Sequence, residues 1–258
     1  MTASDTGPLL LARGVERVFE SGGQSVHALR GVDVAVHPGE RLALMGRSGS
    51  GKTTLLNILG GLDRPTSGAV FFQQQDMGRL SEGQLTTLRR TGMGFVFQSF
   101  GLIPLLSAYE NVELALRIAG AHAGERDRRA KECLEMVGLA HRMKHRPYEM
   151  SGGEQQRVAI ARAIANQPRL VLADEPTGEL DSANAAAVFA LLRDIALRDG
   201  AAVVVATHDP LVRDAGFTVR ELVDGAFTDG WRLPPAPGAP SRTPEARTPE
   251  ARAQGFRR

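Results

Sequence analysis

Two short stretches of this 258-residue sequence carry side chains suited to phosphate chemistry. The first is Gly46-Arg47-Ser48-Gly49-Ser50-Gly51-Lys52-Thr53, which fits the pattern G-x-x-x-x-G-K-[ST]. Its glycines let the backbone fold into a nest whose N–H groups point inward at phosphate oxygens. Lys52 can reach the outer phosphates of a polyphosphate, and the Thr53 hydroxyl can ligate Mg2+. The second is Asp174-Glu175, an acidic pair after the apolar run Leu170–Ala173. Asp174 could hold Mg2+ through its water shell, and Glu175 could accept a proton from an attacking water. Alone, such a pair is usually a solvated turn; the Lys52 loop gives it a chemical reading.

These residues need elements to hold them. Arg41–Met45 reads as a strand entering the first motif and Thr53–Leu59 as a helix leaving it, which puts the loop at a positive helix terminus. Short aliphatic runs at Arg41–Met45, Gly94–Phe97, Leu170–Ala173 and Ala202–Ala206 read as strands buried on both faces. Helical patterns at Thr53–Leu59, Ala108–Ala119, Glu125–Val137, Glu154–Ala165 and Ser182–Arg198 lie between them. This alternation predicts an α/β fold with a mostly parallel central sheet. An acidic pair at the carboxyl end of one of its strands sits where such sheets bind ligands. The first 37 residues and Gly68–Asp76 read as antiparallel β. From about Ser99 to Asn166 no strand signal occurs, so this part is predicted to be a helical subdomain inserted between two sheet strands.

Composition narrows the class. Hydrophobic residues make up 42% and charged residues 23%, the balance of an ordinary globular chain. Cys133 is the single cysteine, which excludes an intramolecular disulfide and suits a reducing compartment. No apolar run approaches the ~20 residues needed to span a bilayer. MTASDTGPLLLARG lacks the basic start of a signal peptide. The expectation is a cytoplasmic chain, reaching a membrane only through a partner. Residues 1–232 are read as one domain, and 233–258 as a disordered Pro/Arg-rich tail with TPEAR twice in tandem (Thr243–Arg247, Thr248–Arg252). The tail sets the charge balance. The whole sequence has a net charge of +2, but Arg242, Arg247, Arg252, Arg257 and Arg258 against Glu245 and Glu250 give the tail +3, leaving −1 for residues 1–232. The domain itself therefore gives no electrostatic reason to expect nucleic acid. His141 and His145 are spaced i, i+4 but sit among Arg142, Lys144 and Arg146, which disfavours a bound cation.

Further segments follow in fixed order: Gln98 in FVFQSF, Ser151-Gly152-Gly153-Glu154-Gln155, Asp181 in GELDS and His208 in VVATHD. With the two phosphate motifs they make the sequence resemble the ATP-binding subunits of ABC transporters, across about residues 9–230. The resemblance implies a P-loop NTPase fold of the ABC type, with ATP and Mg2+ as cofactors. Gly46, Arg47, Ser48, Gly49, Ser50, Gly51, Lys52, Thr53 and Thr54 would cradle the phosphates; Thr53 and Gln98 match the Mg2+ ligands, with Asp174 behind them. Glu175 matches the general base and His208 the residue at the γ-phosphate. Phe19 falls where the family usually has a tyrosine that stacks on adenine, although it also reads as an ordinary apolar strand residue. Ser151, Gly152, Gly153 and Glu154 match the signature that closes over ATP held by a second subunit, in a head-to-tail homodimer with Asp181 near the seam. Read from physics alone, Ser151-x-x-Glu154 is a capping box that opens a helix, and the two readings are compatible. Glu154 replaces the more usual glutamine, and Glu179 stands where close relatives usually have asparagine.

GGLDRPTSG, LRRTGMGFVFQSFGLIPLLSAYENVELAL and LADEPTGELDS look like the lipoprotein-release and macrolide-efflux group. That group implies ATP hydrolysis that energises a separate integral membrane permease. The permease would contact about Ser99–Tyr109, where Phe100, Leu102, Ile103, Leu105 and Leu106 look exposed or serve the subdomain's own core. The alternative is an ABC ATPase of a non-transport transmembrane complex that regulates cell-wall hydrolysis or cell division. A nucleic-acid partner is not expected. The DNA-repair type has a very long coiled-coil insertion between its nucleotide motifs, whereas Lys52 and Asp174 are 122 residues apart here. The translation-factor type carries two cassettes on one chain, and this sequence has one.

Overall fold

The structure is a computed structural model that describes residues 7–231 and Leu233. Strands β1 (Leu10–Ser21) and β2 (Gln24–Val36) form a long antiparallel pair. β4 (Ser67–Phe72) and the short β5 (Gln75–Asp76) complete a four-stranded antiparallel sheet in the order β2-β1-β4-β5. The second sheet has six strands. β3 (Arg41–Met45), β6 (Met93–Val96), β7 (Leu170–Asp174), β8 (Ala202–Thr207), β9 (Thr218–Val223) and β10 (Ala226–Phe227) lie in the order β10-β9-β3-β8-β7-β6. All its neighbours are parallel except the β9–β10 hairpin.

The central strands show why the sequence makes a sheet there. All six residues of β8 are buried, as a β-branched and aliphatic run requires when both faces are covered. Strand alternation then divides the interior in two. Leu170 and Leu172 of β7 and Ala202, Val204 and Ala206 of β8 pack with Leu42, Leu55 and Leu59 on one side. Val171, Ala173, Val203 and Val205 pack with Ile160, Ile164, Val188 and Phe189 on the other.

Helix α1 (Lys52–Leu59) belongs to the first layer. The second contains α3 (Ala108–Ala119), α4 (Ala123–Met136) and α5 (Gly152–Ile164), all between β6 and β7, and α6 (Ser182–Asp199) between β7 and β8. Because β6 and β7 are sheet neighbours, the helical insertion leaves and returns to adjacent strands. Ser107 and Glu110 form a reciprocal capping box at the start of α3. A short α7 (Leu211–Asp214) follows β8.

Among the described strands and α-helices, α2, the single-turn α7, β9 and β10 have no counterpart in the sequence reading. α2 (Glu82–Gly92) buries only Leu85 among its residues, so its apolar periodicity is faint; its start is nonetheless marked by a Ser81–Gln84 capping box. β9 and β10 form the edge of the second sheet, and mixed exposure along β9 hides the usual buried-strand pattern. The segment expected to be a disordered tail, 233–258, lies outside the described residues except for Leu233. The Leu233 amide donates to Asp33 Oδ2 at 3.3 Å.

Candidate functional site

The phosphate motif spans the turn from β3 into α1. Two of its glycines are required by close packing. A side chain at Gly46 would collide with the Leu222 carbonyl and Ser50 Oγ; at Gly51, where φ is +102°, it would meet the Ala28 carbonyl at 2.5 Å. Gly51 is also the residue before α1, and no side chain caps this helix. An uncapped N-terminus leaves backbone donors facing outward with the positive end of the helix dipole. The loop is braced from behind by the β9–β10 turn: Gly225 N donates to Ser50 O at 3.1 Å, and Arg30 N to Gly225 O at 2.8 Å.

Lys52 is 6% exposed and turns back into the loop. Its Nζ donates to Gly46 O at 2.8 Å and Arg47 O at 3.2 Å, and lies 3.4 Å from Glu175 Oε1. The Thr53 hydroxyl donates to Asp174 Oδ1 at 3.1 Å, although 121 residues separate them. Burial pushes the Asp174 carboxyl above its ordinary range and the charge of Glu175 adds to this; the Thr53 hydrogen bond and Lys52 oppose it.

Glu175 takes a left-handed backbone conformation, φ +43°, unusual for a residue with a side chain. Its amide is bonded to Ala206 O at 2.8 Å and its carbonyl accepts from Gly178 N at 3.1 Å, which hold that conformation. The carboxylate then meets His208, with Oε2 3.0 Å from Nδ1. His208 directly follows β8 and Glu175 directly follows β7, and the two strands are in register with Asp174 opposite Ala206. Gln98 follows β6 with one residue between, and its side chain lies over Gly178.

Most of these groups line a single cleft of about 1100 Å³; Gly46 and Ser50 are not in its lining, and Asp174 stands behind Thr53. Arg47, Ser48, Gly49, Gly51, Lys52, Thr53, Thr54, Gln98, Glu175 and His208 all face it. Val26, His27, Ala28 and Arg30 of β2 and Val223–Ala226 at the β9–β10 turn complete the wall. Those wall residues escape sequence reasoning because no motif marks them; the strand register and the hairpin bring them in. Phe19 is not in the lining, but it stands at the rim: its antiparallel partner Val26 lines the cleft, and the ring is 39% exposed.

The structure keeps a second group of the sequence-predicted residues apart from this cleft. Ser151 caps α5, accepting from Glu154 N at 3.3 Å, while Glu154 accepts from Ser151 N at 2.9 Å. That backbone donor is the main reason the Glu154 carboxyl lies below its usual range. Arg142, unmarked in the sequence, adds a 3.1 Å ion pair to Glu154. A side chain on Gly153 would meet Asn184 Oδ1 at 2.5 Å, so α5 starts tight against α6. Asp181 caps α6, accepting from Asn184 N at 2.9 Å.

The segment after Gln98 is pinned by Arg162 of α5, which donates to the carbonyls of Phe100 and Gly101. Asn111 binds Ile103 through both its amide and carbonyl. Leu102 packs against the helical core, whereas Ile103 is 42% and Leu105 77% exposed. No helix among the described residues is long and apolar enough to cross a membrane.

Comparison with known proteins agrees with this geometry. Residues 29–178 match the ABC transporter family. The chain is 50% identical over 202 residues to the lipoprotein-releasing system ATP-binding protein LolD 2 of Caulobacter vibrioides, covering 78% of this chain and 89% of that one. It is 48% identical over 221 residues to the macrolide export ATP-binding/permease protein MacB of Wolinella succinogenes. There it covers 86% of this chain and only 34% of the relative, so the chain spans about a third of that protein. The dimeric structure of MJ0796, a bacterial ABC transporter cassette by its description, matches with a TM-score of 0.79 and 44% identity over 85% of this chain and 96% of that chain. MJ0796 is also known as a post-hydrolysis dimer bound to ADP and Pi. A P-loop cleft with an acidic pair and a histidine at the ends of parallel strands, a helical insertion, and these similarities lead to one conclusion: the chain belongs to the ABC transporter family, as an ATP-binding cassette of the LolD and MacB type.

Proposed function

We propose that this chain hydrolyses ATP to energise a separate membrane permease of the lipoprotein-release or macrolide-efflux kind. The observation that carries this reading is the convergence of Lys52, Thr53 backed by Asp174, and the Glu175–His208 pair at one cleft.

ATP phosphates would occupy the uncapped start of α1, with the backbone of Gly46–Thr54 and Lys52 as donors. The Thr53 hydroxyl and the Gln98 amide oxygen, with the Asp174 carboxylate behind them, are hard oxygen donors that suit Mg2+. When bound there, the ion supplies positive charge to the phosphate oxygens. Glu175 takes the proton of the attacking water as its oxygen bonds to the γ-phosphorus and the bond to the ADP oxygen breaks. His208, held against Glu175, would stand beside the γ-phosphate. Phe19 offers its ring to the base.

The Ser151–Glu154 helix end and Asp181 would act in trans. They close over the nucleotide of a second copy in a head-to-tail dimer, a closed twofold arrangement. The exposed Ile103 and Leu105 support a permease contact within Ser99–Tyr109 and hence a place on the inner membrane face.

The test is Glu175→Gln. The variant is expected to bind MgATP, hydrolyse it very slowly and accumulate as a dimer in size-exclusion chromatography. Turnover at the wild-type rate would remove Glu175 as the base.

A further inference from the structure

Arg17 and Phe19 stand two residues apart on the same face of β1, as strand alternation dictates. The guanidinium carbon of Arg17 lies 4.4 Å from the centre of the Phe19 ring. The same guanidinium is gripped by Asp63: Nη2 donates to Oδ1 at 3.0 Å, and Nε lies 2.9 Å from Oδ2. One hydrogen bond plus a short ion-pair approach, with Nε buried and making no hydrogen bond of its own, holds the guanidinium against Asp63. Asp63 is itself anchored just beyond α1, its amide reaching Asn57 O at 3.3 Å and its carboxylate accepting from Arg64 N at 2.8 Å. The pairing of β1 with β2 shifts register between Arg17 and Val18. The extra residue at this irregularity is Ala28 of β2, which lines the cleft, while β1 continues its alternation from Arg17 to Phe19.

We propose that Arg17, clamped by Asp63, is a positioning residue for the nucleotide base. It backs one face of the Phe19 ring and so holds the opposite face as a stacking platform at the rim of the cleft. The proposal rests on the reading of Phe19 as the base platform. The cation–π contact restrains a ring that would otherwise lose rotamer freedom only when nucleotide arrives. The clamp ties the platform to the C-terminal end of α1, the helix whose first residue is Lys52. Stacking is indifferent to base identity, since every base has a π-face.

Titration calorimetry on the full chain, with ATP, GTP and inorganic tripolyphosphate each in the presence of Mg2+, tests this. Arg17→Ala is expected to weaken ATP and GTP alike, by about fivefold to tenfold, and to leave tripolyphosphate within about twofold. Asp63→Asn, which loosens the clamp without shortening a side chain, is expected to lose ATP affinity in the same sense by about twofold to fivefold. In a chain already carrying Phe19→Ala, Arg17→Ala should change ATP affinity no further. An unchanged ATP affinity in Arg17→Ala overturns the proposal. So does an equal loss for ATP and tripolyphosphate, which would make Arg17 a support of the whole cleft. A Phe19→Ala chain that binds ATP like wild type overturns the platform reading itself, whatever Arg17 does.

Discussion

The loop at Lys52 and the turn at Ser151 both use glycines to open a helix, yet they end in opposite conditions. At Lys52 the helix start is uncapped, and the ends of β6, β7 and β8 deliver polar side chains to it. At Ser151 the helix is capped reciprocally by Glu154, which is held by Arg142, and no residue of the turn lines the cleft. The first region has its chemistry assembled within one chain. The second is structurally finished within the chain and stands apart from the cleft; on the proposed reading it meets a nucleotide only in a second copy. Folding alone can complete a phosphate cradle; it cannot place a helix start across from its own cleft.

This contrast can be broken or sharpened. Glu175→Gln strikes the first region hardest, with turnover expected to fall about 10²- to 10⁴-fold while ATP still binds. Lys52→Ala should weaken ATP about tenfold to a hundredfold in calorimetry, the worth of a charge-assisted hydrogen bond; equal affinity would end its assigned role. Gly153→Ala should behave oppositely. It pushes on Asn184, and through it on Asp181, so turnover is expected to fall about tenfold or more from misplacement across the dimer, while ATP affinity stays within about twofold. A loss of ATP affinity there would erase the distinction between the regions. Ser151→Ala should cost about 1 kcal/mol in chemical denaturation, the ordinary value of a lost cap.

The smallest effect concerns acid. The carboxyls of Asp181 and Glu154 are held below their usual range, chiefly by the amides of Asn184 and Ser151 that donate to them. A depressed native pKa contributes stability above the unfolded value, lost as pH falls through the native one. Both caps are therefore expected to persist through the ordinary carboxylate range, about pH 4, and to release below it. Circular dichroism during acid titration reads this, with Glu154→Gln shifting the loss.

What the sequence made legible follows from the kind of signal each part carries. The Lys52 loop, Asp174-Glu175 and His208 could be read because their chemistry demands particular residue types at fixed spacing. The buried strands were legible because a run such as Ala202–Thr207 has few other uses. α2 was missed because its single buried residue leaves no periodic stripe. Arg17, Arg142 and Arg162 were also missed. Each acts through partners distant in sequence, and an arginine on a strand or helix looks like any solvated charge until the fold supplies Asp63, Glu154 or the Phe100 carbonyl.

The rung-by-rung pairing of β6, β7 and β8 has a consequence for how such a protein can vary. Gln98, Glu175 and His208 each stand at or just beyond the end of one of these strands, so their spacing is gauged by the ladder and not by the chain between them. The insertion that carries α3, α4 and α5 connects β6 to β7, and the ladder between these two strands keeps Gln98 and Glu175 in place whatever the outer surface of the insertion becomes. On the proposed reading the segment that would meet a permease begins one residue beyond Gln98 and is tied to α5 by Arg162, so an event in the cleft has a short covalent path to the partner, while the outer surface of the insertion is left to vary.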